Sequence, residues 1–204
     1  MSYFVSLDWK AIKGIYGPTK DQFAKRLSYL QHEAAESFLN AQGDTERGLV
    51  VSDMFRSMKA SYERKYPPGR PPRKDVQPPG FSAHNFGLAI DLAVDETMKG
   101  LGIKKKPELD AFMAEYGWYC HRKDGQRGSE DWHFNYLGYL IPKDNERSTA
   151  GAIERKIRAL YEPFACEPPS DVRAFQARYG LTADGVFGPI TRRLYWLELN
   201  QPSS

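Results

Sequence analysis

The sequence predicts an α+β domain, a small antiparallel sheet with helices, followed by a small three-helix domain. Three observations predict it. Apolar residues at helical spacing alternate with short apolar runs up to about residue 142. A polar stretch, Pro142-Lys-Asp-Asn-Glu-Arg-Ser-Thr149, then interrupts the pattern. Three short amphipathic segments fill the remainder. A chain of 204 residues has room for one medium domain and a small one. The boundaries read as 1–142 and 150–204, with a linker at about 143–149.

The elements follow in order. Thr19 and Gln22 fit a capping box, in which two side chains satisfy orphan backbone donors. Phe23, Leu27, Leu30, Ala34 and Phe38 then recur at helical spacing and predict one amphipathic helix over about 20–40. Leu49-Val50-Val51 reads as a buried strand. Met58, Tyr62 and Tyr66 predict a second helix, stopped by Pro67-Pro68. Residues 67–80 hold six prolines and two glycines together with Arg70, Arg73 and Lys74. Such a stretch is neither helix nor central strand. It is an insertion or a flap over a site, and composition leaves both open.

Gly87-Leu-Ala-Ile-Asp-Leu-Ala-Val94 reads as a strand. Leu109, Phe112, Met113 and Tyr116 predict a helix, with Pro107 near its start and Gly117 past its end. The aromatic-rich run from His133 to Leu140 reads as a strand. In the tail, the three helical patterns are Ile153/Ile157/Leu160, Val172/Phe175/Tyr179 and Pro189 followed by Ile190/Leu194/Leu197.

Composition excludes several classes. Hydrophobic residues are 41% and charged residues 27%, the range of soluble globular domains and not of disordered chains. No apolar run approaches the ~18 residues of a membrane helix. Two cysteines, Cys120 and Cys166, make no disulfide framework. A net charge of +3 is too small to argue for nucleic-acid binding. The N-terminus has no basic region followed by an apolar segment, so no secretory signal is expected. Nothing in the sequence asks for an oligomer, and a monomer is expected.

Chemistry concentrates in two segments. Phe81-Ser-Ala-His84-Asn-Phe-Gly87-Leu-Ala-Ile-Asp91 puts a histidine in a turn and a carboxylate inside an otherwise apolar strand. Burying that carboxylate is costly without a partner. Glu130-Asp-Trp-His133-Phe brings a second histidine to the start of another strand. His84, Asp91 and His133 are three N/O donors that leave a fourth position for water, as in catalytic zinc sites. Glu130 is a candidate general base for that water, and its neighbour Asp131 is a rival. A single histidine is more often a core or surface residue than a ligand, so spacing alone leaves both readings open. His32 has no patterned partner; His121 and Cys120 fit no motif position.

Ser82-x-His84-x-x-Gly87-x-Ala89-x-Asp91, followed by Glu130-x-x-His133-Phe, resembles the zinc D-alanyl-D-alanine carboxypeptidase and dipeptidase family. That family also includes the L-alanyl-D-glutamate endopeptidases of phage endolysins. Val51-Ser-Asp-Met-Phe-Arg56-Ser57 resembles its arginine-bearing segment, with Asp53-Met54 where a glycine is common. The resemblance implies an α+β zinc peptidase domain with one Zn2+ held by His84, Asp91 and His133. It implies that Glu130 accepts the water proton and returns it to the leaving amine. Arg56 anchors a substrate carboxylate or stabilises charge at the scissile carbonyl, and Ser82 hydrogen-bonds substrate.

The tail carries Phe175-Gln176, Gly180-Leu181, Asp184-Gly185-x-x-Gly188 and Thr191, and resembles the small three-helix peptidoglycan-binding domain. Together the two resemblances imply a phage endolysin. It would be made in the host cytoplasm and act on the bacterial cell wall after release. Its partner is peptidoglycan, and the favoured activity is L-alanyl-D-glutamate endopeptidase. The alternatives are a D-alanyl-D-alanine carboxypeptidase of wall remodelling and a non-catalytic wall-binding virion protein.

Overall fold

A computed structural model describes residues 3–8, 12, 14–15, 28–46, 48–120, 130–138 and 149–202. The elements begin with β1 (Phe4–Ser6), β2 (Gly14–Ile15), β3 (Tyr29–Gln31), α1 (His32–Gly43), β4 (Val50–Asp53) and α2 (Met58–Lys65). A 3-10 turn (Ala83–Phe86), β5 (Ala89–Leu92), α3 (Val94–Leu101), α4 (Lys106–Glu115), β6 (Trp118–Cys120) and β7 (His133–Tyr136) follow. The tail holds α5 (Thr149–Tyr161), α6 (Val172–Arg178) and α7 (Pro189–Asn200). None of the described helices is long and apolar enough to cross a membrane.

The main sheet has the order β2-β4-β5-β7-β6, and β1 pairs with β3 in a separate two-stranded sheet. The architecture is α+β, as the sequence predicts. Both sheets are antiparallel except at one edge, where β2 runs parallel to β4. Leu88 and Ile90, Val51, Phe134 and Trp118 are buried at the sheet, and Phe38, Leu109 and Met113 close over it from α1 and α4. The Trp118 indole, buried here, donates to Ser37 Oγ at 3.0 Å, so its one polar atom is satisfied.

The helix predicted over 20–40 is a correction. Tyr29–Gln31 is a strand paired with β1, and the helix begins only at His32. Gln31 Oε1 accepts the Ala34 N–H at 3.1 Å and caps it. Leu30 is buried on the strand, so its apolar character fits a helical period by coincidence. The Thr19/Gln22 capping box lies outside the described residues. So do His121 and nearly all of the predicted linker.

The predicted strands at 49–51, 87–94 and 133–140 are Val50–Asp53, Ala89–Leu92 and His133–Tyr136. Helix α2 ends at Lys65, two residues before the proline pair. In α4, Pro107 stands in the first turn, where its missing N–H costs nothing. The apolar core continues without a break into the tail: Ile157, Phe175, Leu194 and Leu197 are buried in the same cluster as Phe86.

Candidate metal centre

Strand register assembles the first part of the site. Asp91 pairs with His133 across β5–β7 and with Asp53 across β4–β5. Directly opposed residues of antiparallel strands project from the same face, with Cβ atoms about 4.5–5.5 Å apart. Asp53, Asp91 and His133 therefore form one row across the sheet. A register irregularity between Val51 and Asp53 re-aims the β4 end of that row, as bulges do.

His84 reaches the row from the 3-10 turn. Gly87 closes that turn at φ +61, and a Cβ there would lie 2.6 Å from the Gln31 backbone nitrogen. Only glycine fits, because the conformation is left-handed and the space is filled by backbone. The His84 carbonyl accepts the Arg56 N–H at 3.1 Å. The buried Asn85 donates to the Arg56 carbonyl at 2.6 Å and to Ser61 Oγ at 2.8 Å. The turn is thus bolted to the end of β4 and to α2.

Three donor atoms converge. His84 Nε2 lies 3.2 Å from Asp91 Oδ1 and 3.2 Å from His133 Nδ1, and His133 Nδ1 lies 2.8 Å from Asp91 Oδ1. Among the described residues, these three form the group able to hold a metal ion. Tetrahedral zinc with N/O ligands at ~2.0–2.1 Å sets its donors ~3.3 Å apart, close to these separations.

The outer nitrogens decide which atoms face inward. His84 Nδ1–H donates to the Met54 carbonyl. His133 Nε2–H donates to Asn135 Oδ1 at 3.0 Å. Each ring is then left with a lone pair facing the other ring and a carboxylate oxygen. Three acceptors in mutual contact are stable only around a cation or a proton, so the donor set fits a divalent ion. The local field agrees. Burial opposes charge on His84, but Asp91 and Asp53 outweigh it and raise its pKa above the ordinary histidine value. Burial likewise acts to raise the Asp91 pKa, but the two histidines hold it far below the usual carboxylate range.

Asp91 and His133 of the row, with the His84 turn, line a cleft of about 330 Å³. Glu130 and Trp132 stand at its rim, and Ser82 and Arg56 line it. Arg56 is already engaged with Asp53, a partner that the sequence reading did not assign. Asp131 is not among the lining residues. Cys120 sits at the end of β6, with Sγ 3.5 Å from the Asp131 carbonyl, and does not join the triad. All six residues singled out from the sequence (His84, Asp91, His133, Glu130, Arg56 and Ser82) line this one cleft.

Several lining residues were not foreseen. Asn135 carried a usable signal, because it stands two positions after His133 on a strand and so shares its face. Asp75, Val76 and Gln77 belong to the proline-rich segment, which the sequence left open as a flap over a site, whereas Arg64 on α2 carried no signal. Nor did Ile153, Glu154 and Ile157 of α5, which form another side of the cleft.

Residues 25–139, more than half of the chain, match the protein family described as VanY, D-alanyl-D-alanine carboxypeptidase. No individual curated protein sequence matches the chain. The solved structure of the LdcB LD-carboxypeptidase, described as revealing the molecular basis of peptidoglycan recognition, is similar at 19% identity. That similarity covers 76% of this chain and 74% of that chain, with a TM-score of 0.47.

Proposed function

Because the chain belongs to the VanY D-alanyl-D-alanine carboxypeptidase family, we propose that it is a zinc-dependent hydrolase of peptidoglycan stem peptides. The observation that carries this reading is the His84–Asp91–His133 triad, with donors 2.8–3.2 Å apart on a cleft floor. These three residues would hold one Zn2+. Zinc bound there supplies a Lewis acid and lowers the pKa of water to ~7.

The chain's own residues do the rest. The Glu130 carboxylate takes a proton from the attacking water. As the C–N bond breaks, it returns that proton to the leaving amine. Arg56, held in place by Asp53, offers a planar fork to a substrate carboxylate or to charge developing on the scissile carbonyl oxygen. The Ser82 hydroxyl hydrogen-bonds the peptide. His84 and His133 keep their inward lone pairs because Met54 and Asn135 accept the protons of their outer nitrogens.

The finer reading is an endolysin of phage type with L-alanyl-D-glutamate endopeptidase activity. In it, residues 150–204 bind the wall and raise the local concentration at an insoluble substrate. The Phe175-Gln176 to Thr191 motif of the tail supports it. A second reading, a D-alanyl-D-alanine carboxypeptidase, is favoured by the family match itself. Purified peptidoglycan, digested with and without chelator and resolved by mass spectrometry, tests both. A cut beside glutamate is expected; loss of one terminal alanine selects the carboxypeptidase. Cleavage that survives chelation would refute the zinc mechanism.

A further inference from the structure

We propose that Arg193 of α7 is a positioning residue for the metal centre: it holds the turn that carries His84, so the C-terminal helices complete the catalytic unit. This rests on the zinc reading above and goes beyond it, because α7 lies outside the family match, which ends at residue 139.

Placement is the first argument. Arg193 is buried, and its guanidinium lies over Phe81 at 4.9 Å, Phe86 at 5.3 Å and Tyr161 at 5.6 Å. Phe81 and Phe86 bracket Ser82 and His84 in the chain, so one cation covers both ends of the segment that bears them. Its Nη1 reaches the Glu154 carboxylate of α5 at 2.8 Å and 3.1 Å, and Nη2 at 3.2 Å. Trp196, three positions on and so on the same side of the helix, stacks on Phe86 with ring centroids 6.0 Å apart. Leu194 closes on Gly80, where a Cβ would lie 2.8 Å from it. The Gly80 N–H in turn donates to Asn85 Oδ1 at 3.0 Å. Gln201, just past α7, accepts the Met58 N–H at 3.4 Å, at the start of the helix that follows Arg56. The tail thus braces both segments that bring His84, Ser82 and Arg56 to the cleft.

Chemistry is the second argument. The Arg193 Nε is buried and finds no acceptor among the described residues, and an unmade buried bond is costly. A well-packed apolar side chain fills such a space at lower cost. What a guanidinium adds is direction: a flat face for aromatic rings and a fork for a carboxylate. Here the face meets Phe81 and Phe86 and the fork meets Glu154, so α5, α7 and the His84 turn share one register. His84 Nε2 can then stay 3.2 Å from both Asp91 Oδ1 and His133 Nδ1.

The test uses the full chain and Arg193→Met, which keeps an apolar stem and loses the plane and the fork. Zinc affinity, measured by chelator competition at a temperature where the variant is folded, is expected to fall about 2- to 30-fold, the range for residues that act on a site through packed neighbours. Cobalt(II) bound in place of zinc should show an altered visible absorption, because that spectrum follows ligand geometry. A residue that only stabilised the fold would lower Tm and leave affinity and spectrum unchanged, and that result would overturn the proposal. Hydrogen exchange on the wild-type protein covers a variant that does not fold. Coupling is reciprocal, so zinc should slow exchange across residues 189–200, although no residue of α7 lines the cleft. Unaltered exchange there would also overturn the proposal. Wild-type protein that binds zinc and cleaves no stem peptide would refute the peptidase reading instead, and the same measurements would still decide the role of Arg193.

Discussion

Replacing Asn135 by alanine tests whether the triad is built to hold a metal. Asn135 is buried on β7, and its Oδ1 accepts the His133 Nε2–H at 3.0 Å. That bond fixes the tautomer, so Nδ1 keeps a lone pair for the metal, and it fixes the ring plane. Without it, the Nε2–H loses the acceptor that holds it there, and the proton can move to Nδ1 and block the ligand atom. Loss of such an outer partner typically weakens metal affinity ~10–100-fold, or about 1.4–2.7 kcal/mol. The assay is competition for zinc against a chelator of known affinity, read as the shift in midpoint. Asn135→Asp should restore or exceed wild-type affinity, because a carboxylate is the stronger acceptor for an imidazole N–H. If Asn135→Ala binds zinc as tightly as the wild type, the assignment of His133 Nδ1 as an inward ligand is refuted.

Other substitutions address the remaining steps. Glu130→Ala should keep zinc and wall binding but lose hydrolysis, measured by release of new amino termini; retained turnover would move the base, first to Asp131. His84→Ala should abolish stoichiometric zinc in the purified protein by metal analysis. Gly87→Ala forces a left-handed residue and a Cβ 2.6 Å from backbone. At ~2 kcal/mol or more, it should lower Tm by about 4–8 °C in a circular-dichroism melt. Asp184 is held below its ordinary value of 3.8, chiefly by the Val186 backbone N–H and then by the Gln176 amide. Its lowered folded pKa means that its contribution is full above that ordinary value and fades as pH falls through the depressed one. Asp184→Asn should therefore flatten the acid limb of stability against pH in denaturant titrations.

Local chemistry made much of this protein legible in one dimension. Proline positions punctuated α2 and α4, because a missing N–H ends or begins a helix whatever surrounds it. Asp91 stood out because a carboxylate inside an apolar strand needs a partner, while its grouping with His84, Glu130 and His133 came from the family resemblance. A side-chain period of two held a signal for Asn135 on the face of His133, although it was not foreseen. Folding alone settled the rest. Leu30 fits a helical period, yet it lies on a strand, since pairing with β1 supplies backbone bonds that a local period does not reveal. Asp53 and Arg56 stand three positions apart, but outside a helix that spacing does not say that their side chains meet. The cleft gained Ile153 and Glu154 because Arg193, 39 residues from Glu154, binds that carboxylate and stacks on Phe81, Phe86 and Tyr161. Contacts at such separation depend on how the chain packs, and packing is a property of the whole fold.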